Sequence, residues 1–207
     1  MEAELFARYW QPVFVFARKK GLDEEAAKDA TQGLFLRLLE RDFMDKMDRE
    51  KGRLRSYLRS SMSHYLADEY RKKSSLKRGG AYQLESLDEA WVDRCVASSD
   101  ELSPEQAYER SWAHMMMERS FSRLTDEYQR GTRKGPLALV IESFRGDSSR
   151  SQAEIALEHG MSTSQLKSFL FRARSRFQEI LKSEIGETVE GEDAMQSETA
   201  LVRENLR

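Results

Sequence analysis

The segment at residues 151–176, SQAEIALEHGMSTSQLKSFLFRARSR, constrains the fold more than any other part of the chain. Ser151 and Glu154 stand at the spacing of a capping box, in which each side chain can satisfy a backbone N–H at the start of a helix. Gly160 lies where this helix must stop and reverse, a position that favours positive φ. The Ser-Thr pair that follows can then cap a second helix. The pattern predicts two short helices joined by a tight turn.

The second helix of this pair combines a polar start with a row of cations. Ser164, Gln165 and Ser168 lie near its N-terminus, and Lys167 and Arg172 are followed by two further arginines. Such a helix can place its start against base edges and its flank against phosphates. The pattern therefore favours a helix-turn-helix that binds DNA. An ordinary helical hairpin with a solvated basic face is the alternative.

The rest of the chain shows helical periodicity and no convincing strand pattern. Pro12 predicts a kink or a break in the first helix, and Gly33 lies in the middle of the second, where it is tolerated if a partner approaches closely. We predict an all-α fold of two small helical domains joined by a flexible acidic linker, with the helix-turn-helix in the second domain. The predicted helices cover residues 4–20, 23–41, 53–73, 104–130 and 136–145.

The net charge of −2 hides an alternation of sign along the chain. Residues 1–80 carry 18 Lys and Arg against 13 Asp and Glu, and residues 126–183 carry 10 against 7. Residues 81–125 carry 4 against 9, and residues 184–207 carry 2 against 7. Two basic modules indicate two contacts with a polyanion, although segregation on solvated faces gives the same pattern. The predicted divisions are a domain at 1–78, a linker at 79–103, a domain at 104–183 and an acidic mobile tail at 184–207.

Several functional classes find no support in the sequence. There is no apolar run long enough to cross a membrane and no secretory signal pattern at the N-terminus. The only cysteine, Cys95, fits a reducing cytoplasm. Three scattered histidines give no metal-ligand spacing, and neither a phosphate-binding loop nor a nucleophile elbow is present. We therefore expect no catalytic residue, no metal and no cofactor, and place the protein in the cytoplasm.

Three segments in order resemble the extracytoplasmic-function (ECF) sigma factor family. DEEAAKDATQGLFLRLLE is similar to its polymerase-binding helix, and RLRSYLRSSMSHYLADEYRKK to the helices that read the minus-ten promoter element. QAEIALEHGMSTSQLKSFLFRARSRFQEIL resembles its helix-turn-helix for the minus-thirty-five element. The resemblance covers about residues 5–78 and 104–183, and is nearest to the ECF-like group of planctomycete-type bacteria. It implies a sigma factor that directs core RNA polymerase to promoter DNA.

The resemblance also implies roles for individual residues. Asp29 and Gln32 would contact the polymerase clamp helices. An anti-sigma or other regulatory protein is a further partner that the resemblance suggests. The residues implied at the minus-ten DNA are Arg55, Arg59, Asp68, Arg71 and Lys72, and those implied at the minus-thirty-five DNA are Ser164, Gln165, Lys167, Ser168 and Arg172.

Two residues depart from the pattern of the family. Gly33 stands where an acid is usual, which predicts a different affinity for the clamp helices. Phe169 stands where Arg or a polar residue is common, which indicates packing instead of a DNA contact. Two other functions stay open at this point: a helix-turn-helix regulator that binds duplex DNA without polymerase, and a helical adaptor protein.

Overall fold

The computed structural model describes residues 2–40, 54–75, 102–145, 150–189 and 191–205 of the chain. These residues form helices and no strand, which confirms the predicted all-α class. The predicted linker at 79–103 lies outside the described residues, apart from Leu102 and Ser103. In chain order the helices are α1 (Glu2–Lys19), α2 (Glu24–Leu39), α3 (Leu54–Ser75), α4 (Pro104–Gln129), α5 (Leu137–Arg145), α6 (Gln152–Glu158), α7 (Thr163–Gly186) and α8 (Glu192–Glu204).

The described chain forms two compact units, whose division falls within α4 between Met115 and Met116. The first unit contains residues 1–115 and 187–207, and the second contains residues 116–186. The start of α4, up to Met115, thus lies in the first unit. The predicted boundaries at 78 and 103 stay predictions, because residues 76–101 are not described.

The first unit is built on α1, α2 and α3, which pack against one another. Asp23 caps α2, since its Oδ1 accepts a hydrogen bond from the Ala26 backbone N–H at 2.8 Å. Pro12 lies inside α1 without interrupting it. Burial of the neighbouring apolar side chains offsets the hydrogen bond that Pro cannot donate. Large buried side chains of this unit are Tyr9, Phe14, Phe16, Leu34, Leu58, Met62, Tyr108 and Trp112.

Gly33 in α2 is explained by its neighbour on α3. A Cβ built on this glycine would lie 2.1 Å from the Tyr65 Oη and 3.0 Å from its Cζ. No side chain fits there unless the tyrosine ring moves, which confirms that a partner approaches the helix closely at this point. The glycine therefore has a packing role between two helices of the same unit.

We expect Gly33→Ala to give none of the stabilisation that replacing Gly by Ala inside a helix usually gives. In an unobstructed helix interior, Ala is favoured over Gly by about 1 kcal/mol. Here the new methyl group must displace Tyr65, so the free energy of unfolding should stay unchanged or fall. In a Tyr65→Ala background the same change should gain about 1 kcal/mol. Chemical denaturation followed by Trp fluorescence measures both values, and an equal gain in the two backgrounds would contradict this explanation.

The C-terminal segment of the chain differs from the predicted mobile tail. Glu192–Glu204 form α8, in which Glu198 and Val202 are buried. Apolar side chains recur at helical spacing along this helix, and its first turn carries Glu192 and Asp193, where the helix dipole favours acids. The acidic composition suggested a solvated segment, but it also holds enough apolar residues to pack a short helix.

The second unit contains the last part of α4 and the helices α5, α6 and α7. Its aromatic side chains form two small clusters. Phe144 lies between Phe121 and Phe177, with ring centroids 5.5 and 4.8 Å away. Tyr128 meets Phe169 edge to face at 5.9 Å. These contacts fix α7 against the other helices of the unit and thereby decide which of its faces is left exposed.

Candidate nucleic-acid interface

The turn between α6 and α7 has the local structure that the sequence predicts. The Ser151 Oγ accepts from the Glu154 N–H at 3.2 Å, and the Glu154 Oε2 accepts from the Ser151 N–H at 2.7 Å. Gly160 has φ of 62°, so the reversal uses the left-handed region that glycine adopts easily. Both helices of the predicted pair and the turn between them are therefore present.

The start of α7 is closed by a second reciprocal cap. The Ser162 Oγ accepts from the Gln165 N–H at 3.2 Å, and the Gln165 Oε1 accepts from the Ser162 N–H at 2.7 Å. Gln165 therefore holds the helix start, a structural role that the sequence did not assign to it. Its side-chain amide group still has two N–H donors that can reach outward.

One face of α7 is buried and the opposite face is exposed. Leu166, Phe169 and Ala173 are buried, which confirms the packing role of Phe169. Leu170 is only half-buried, so the inward-facing residue at this point is Phe169. The residues implied at the minus-thirty-five DNA are all exposed, and they are Ser164, Gln165, Lys167, Ser168 and Arg172.

Phe171 also lies on this exposed face, although it is not among the residues that the family resemblance implies. Its side chain is 73% exposed, although Phe is usually buried. It lies three residues after Ser168 and four after Lys167, a spacing that puts all three side chains on one face. On a helical projection, position 171 points away from the buried residues Leu166, Phe169 and Ala173. This angle is the signal in the sequence that could have revealed the exposure of Phe171.

Arg176 lies farther along α7 and is used in a structural ion pair. Its Nη2 lies 2.7 Å from the Glu127 Oε1 of α4, and its Nη1 lies 2.8 Å from the Glu179 Oε2. The hydrogen bond from Arg176 lowers the pKa of Glu127 below its ordinary value, helped by Arg133. This arginine therefore connects two helices of the second unit instead of extending the exposed basic face.

The predicted minus-ten residues of α3 form ion pairs with side chains of opposite charge. The Arg59 Nη1 is 3.0 Å from the Glu109 Oε1, and the Asp68 Oδ2 is 3.1 Å from the Arg37 Nη1. Arg71 and Lys72 are exposed at the end of the helix. Lys72 forms a surface pair with Glu69 at 2.9 Å, an arrangement of low net energy that a phosphate can replace.

Arg55 differs from the expectation that it lies on an accessible face. It is 5% exposed, and its Nε and Nη2 lie 2.9 and 3.1 Å from the two carboxylate oxygens of Glu198. Its Nη1 is 2.9 Å from the Glu109 Oε1, and its guanidinium lies over the Trp112 ring at 5.3 Å. Burial alone would lower the pKa of Arg55, but these carboxylates raise it above its usual value. Sequence periodicity could not reveal partners on distant helices.

The predicted polymerase residues lie on an exposed face of α2. Asp29 is exposed and Gln32 is half-buried. The same face carries two exposed leucines that the family resemblance does not single out: Leu36 is 52% exposed and Leu39 is 41% exposed. Positions 29, 32, 36 and 39 follow the i, i+3, i+4 spacing of one helix face. An apolar pair beside two polar groups is typical of a protein-binding patch.

The described residues include no group of three or more His, Cys, Asp or Glu side chains placed to hold a metal ion. In the same part of the chain, none of the helices has the length and apolar character that a membrane span requires.

The first unit is helical and carries basic side chains, and the second contains two helices around a tight turn. This combination is typical of a protein that binds nucleic acid. A family model described as ECF sigma factor matches residues 2–183 of the chain. The chain belongs to the ECF sigma factor family, and it is an RNA polymerase sigma factor that acts in transcription initiation. Members of this family are non-catalytic and work with core polymerase and promoter DNA. No curated protein and no solved structure matches the chain significantly.

Proposed function

We propose that this sigma factor divides its contacts with polymerase and promoter among three helix faces. The α2 face with Asp29 and Gln32 binds core polymerase. The α3 residues Arg59, Arg71 and Lys72 approach the minus-ten DNA, and the exposed face of α7 binds the minus-thirty-five DNA. The observation that carries the proposal is that all five α7 residues implied by the family pattern are exposed on the helix whose opposite face is buried.

The mechanism that follows is recognition of DNA, with the chemistry left to the polymerase. Cations neutralise phosphates and supply affinity that depends on salt. Polar side chains at the start of α7 can reach base edges in the major groove and supply sequence preference. Core polymerase and chromosomal DNA are both cytoplasmic, so we place the protein there. An anti-sigma protein stays a predicted partner.

Run-off transcription with core polymerase on genomic fragments tests the proposal. We expect specific transcripts only when the protein is present, and weak binding of the protein alone to promoter duplexes. A helix-turn-helix regulator would instead shift duplex DNA without polymerase. Strong unaided binding together with no transcript would therefore favour that second function.

Arg172 gives the sharpest prediction for α7. Because its side chain is exposed, we expect Arg172→Ala to change stability by less than about 0.5 kcal/mol. Promoter binding by the holoenzyme should weaken. If the arginine contacts a phosphate, the loss should be similar on all promoters and the salt slope should fall by about 1. If it reads a guanine, discrimination at one position should relax by about 1–3 kcal/mol.

Arg130→Ala is the matched control, because it removes the same charge from an exposed position directly after α4 in the same unit. Equal losses in the two variants would indicate a general effect of charge on DNA binding. An Arg172→Ala holoenzyme with unchanged promoter affinity and unchanged transcription at physiological salt would exclude this residue from the interface.

A further inference from the structure

The contact between Arg55 and Glu198 joins the N-terminal helices to the C-terminal segment of the chain. The Glu198 side chain is fully buried and binds the guanidinium through both carboxylate oxygens. Glu109 and the Trp112 ring complete the surroundings of the arginine. Such a two-pronged pair has the geometry in which Arg also binds phosphates. Glu198 therefore offers Arg55 a negative charge of the kind that nucleic acid carries.

The segment that supplies Glu198 lies outside the part of the chain that matches the family. The match ends at residue 183, while α8 begins at Glu192. Two further contacts bind the approach to α8 to α1: Glu187 pairs with Arg8, and Thr188 hydrogen-bonds Tyr9. Residues 184–207 carry 2 basic against 7 acidic residues, opposite in sign to residues 1–80. An acidic helix is thus anchored on helices from the net basic N-terminal part of the chain, which the proposed function assigns to polymerase and DNA.

Stability alone gives a weak reason for this arrangement. A buried ion pair costs desolvation of both charges, and apolar residues of similar size often stabilise a fold at least as well. An ion pair has an advantage when its acidic partner must be exchanged, because another anion can then bind the same arginine. Arg59 is next to the same site, since it shares the Glu109 carboxylate with Arg55.

We propose that α8 is an intramolecular competitor of promoter DNA, in which Glu198 stays paired with Arg55 until DNA phosphates displace it. This inference rests on the proposed role of α3 at the minus-ten DNA. In the closed form Arg55 is unavailable, and the acidic helix repels the DNA strand from this part of α3. When the helix leaves, Arg55 and Arg59 gain a shared surface for phosphate. Because coupling between sites is reciprocal, promoter DNA bound to the holoenzyme must in turn loosen α8.

The first test compares two single-charge variants of the full chain. Glu198→Gln keeps the size of the side chain and removes its charge, and Glu204→Gln makes the same change at an exposed position of α8. With core polymerase, we expect Glu198→Gln to raise promoter binding and run-off transcription about fivefold or more, the lower end of typical coupling. The Glu204→Gln holoenzyme should match the unaltered one. Hydrogen exchange of the α8 amides should be faster in Glu198→Gln alone.

The second test covers the case in which Glu198→Gln destabilises the unit. A sequence for a site-specific protease is inserted before Gly191, and one preparation is assayed before and after cleavage. We expect cleavage to raise transcription to a similar extent, while thermal melting of the remaining helices stays cooperative. Loss of cooperative melting together with lower transcription would overturn the proposal, because α8 would then be a structural brace. A rise on cleavage without a rise in Glu198→Gln would overturn the assignment to Glu198.

Arg59→Ala separates failure of this inference from failure of the proposed function. If neither Glu198→Gln nor cleavage changes transcription, but Arg59→Ala still weakens promoter binding, the competitor role is excluded and the DNA role of α3 is retained. If Arg59→Ala has no effect in either the intact or the cleaved chain, the proposed DNA role of α3 fails, and the competitor model fails with it.

Discussion

Phe169→Ala is expected to lower the free energy of unfolding of the second unit by about 3–5 kcal/mol, the usual cost of removing a buried aromatic side chain. Phe169 is 4% exposed and meets Tyr128 edge to face. It also fills the space beside Gly135, where an added Cβ would lie 2.2 Å from the Phe169 ring. The truncated side chain would leave a cavity between α7 and its neighbours that the surrounding helices can only partly fill.

Phe171→Ala is the matched control, because it removes the same atoms two residues along the same helix. This side chain is 73% exposed, so we expect a change within about 0.5 kcal/mol. The three Trp residues, at positions 10, 91 and 112, all lie outside residues 116–186, so Trp fluorescence does not report on this unit. Hydrogen exchange of the α7 amides under increasing denaturant is the suitable measurement. Equal losses in the two variants would mean that the assigned buried face of α7 is wrong.

Phe169→Arg tests the same face in the opposite direction. The family pattern commonly has Arg or a polar residue at this position, so a chain that tolerated Arg here would expose it to DNA. Burial predicts instead that the charged side chain loses its solvation without gaining a partner. We expect a loss of stability at least as large as that of Phe169→Ala, and no gain in promoter affinity.

Features that depend on neighbouring residues were predictable from the sequence. The caps at Asp23, Ser103 and Ser151 use partners three residues away, and all three are present. The ends of the helices followed from the same signals, because Gly, Pro and the capping residues act over one turn. Exposure of the predicted α7 residues also followed from helical periodicity, once the buried set was known.

Features that depend on distant residues were not predictable. Arg55 is spaced along α3 like an exposed cation, but its carboxylate partners are 54 and 143 residues away in the sequence. The same reason explains the C-terminal segment, whose acidic composition favours solvation until a buried arginine provides a partner. Leu39 is 41% exposed although it continues the apolar stripe of α2, because that stripe is wider in the sequence than the surface that its neighbours cover.

Polymerase binding should depend most on the exposed face of α2. We expect the Asp29→Ala, Gln32→Ala double variant to keep its helicity and melting temperature, because neither side chain belongs to the buried set. Its affinity for core polymerase should fall about thirtyfold or more, since a single hot-spot side chain of an interface carries about 2 kcal/mol and each 1.4 kcal/mol is about tenfold. Adding Leu36→Ala should reduce the affinity further, because this exposed leucine can supply the apolar contact beside the two polar groups.

The chain offers a closely matched control on α8. Asp193 and Gln196 have the same residue types, the same spacing of three residues and exposed side chains. Asp193→Ala with Gln196→Ala should therefore leave polymerase affinity unchanged, measured by pull-down or by titration with labelled core enzyme. If the α2 variant binds polymerase as well as this control does, the α2 face is not the contact. If both variants lose affinity equally, the loss comes from the change in net charge. Only a specific interface on α2 would make the same pair of substitutions weaken binding on one helix and not on the other.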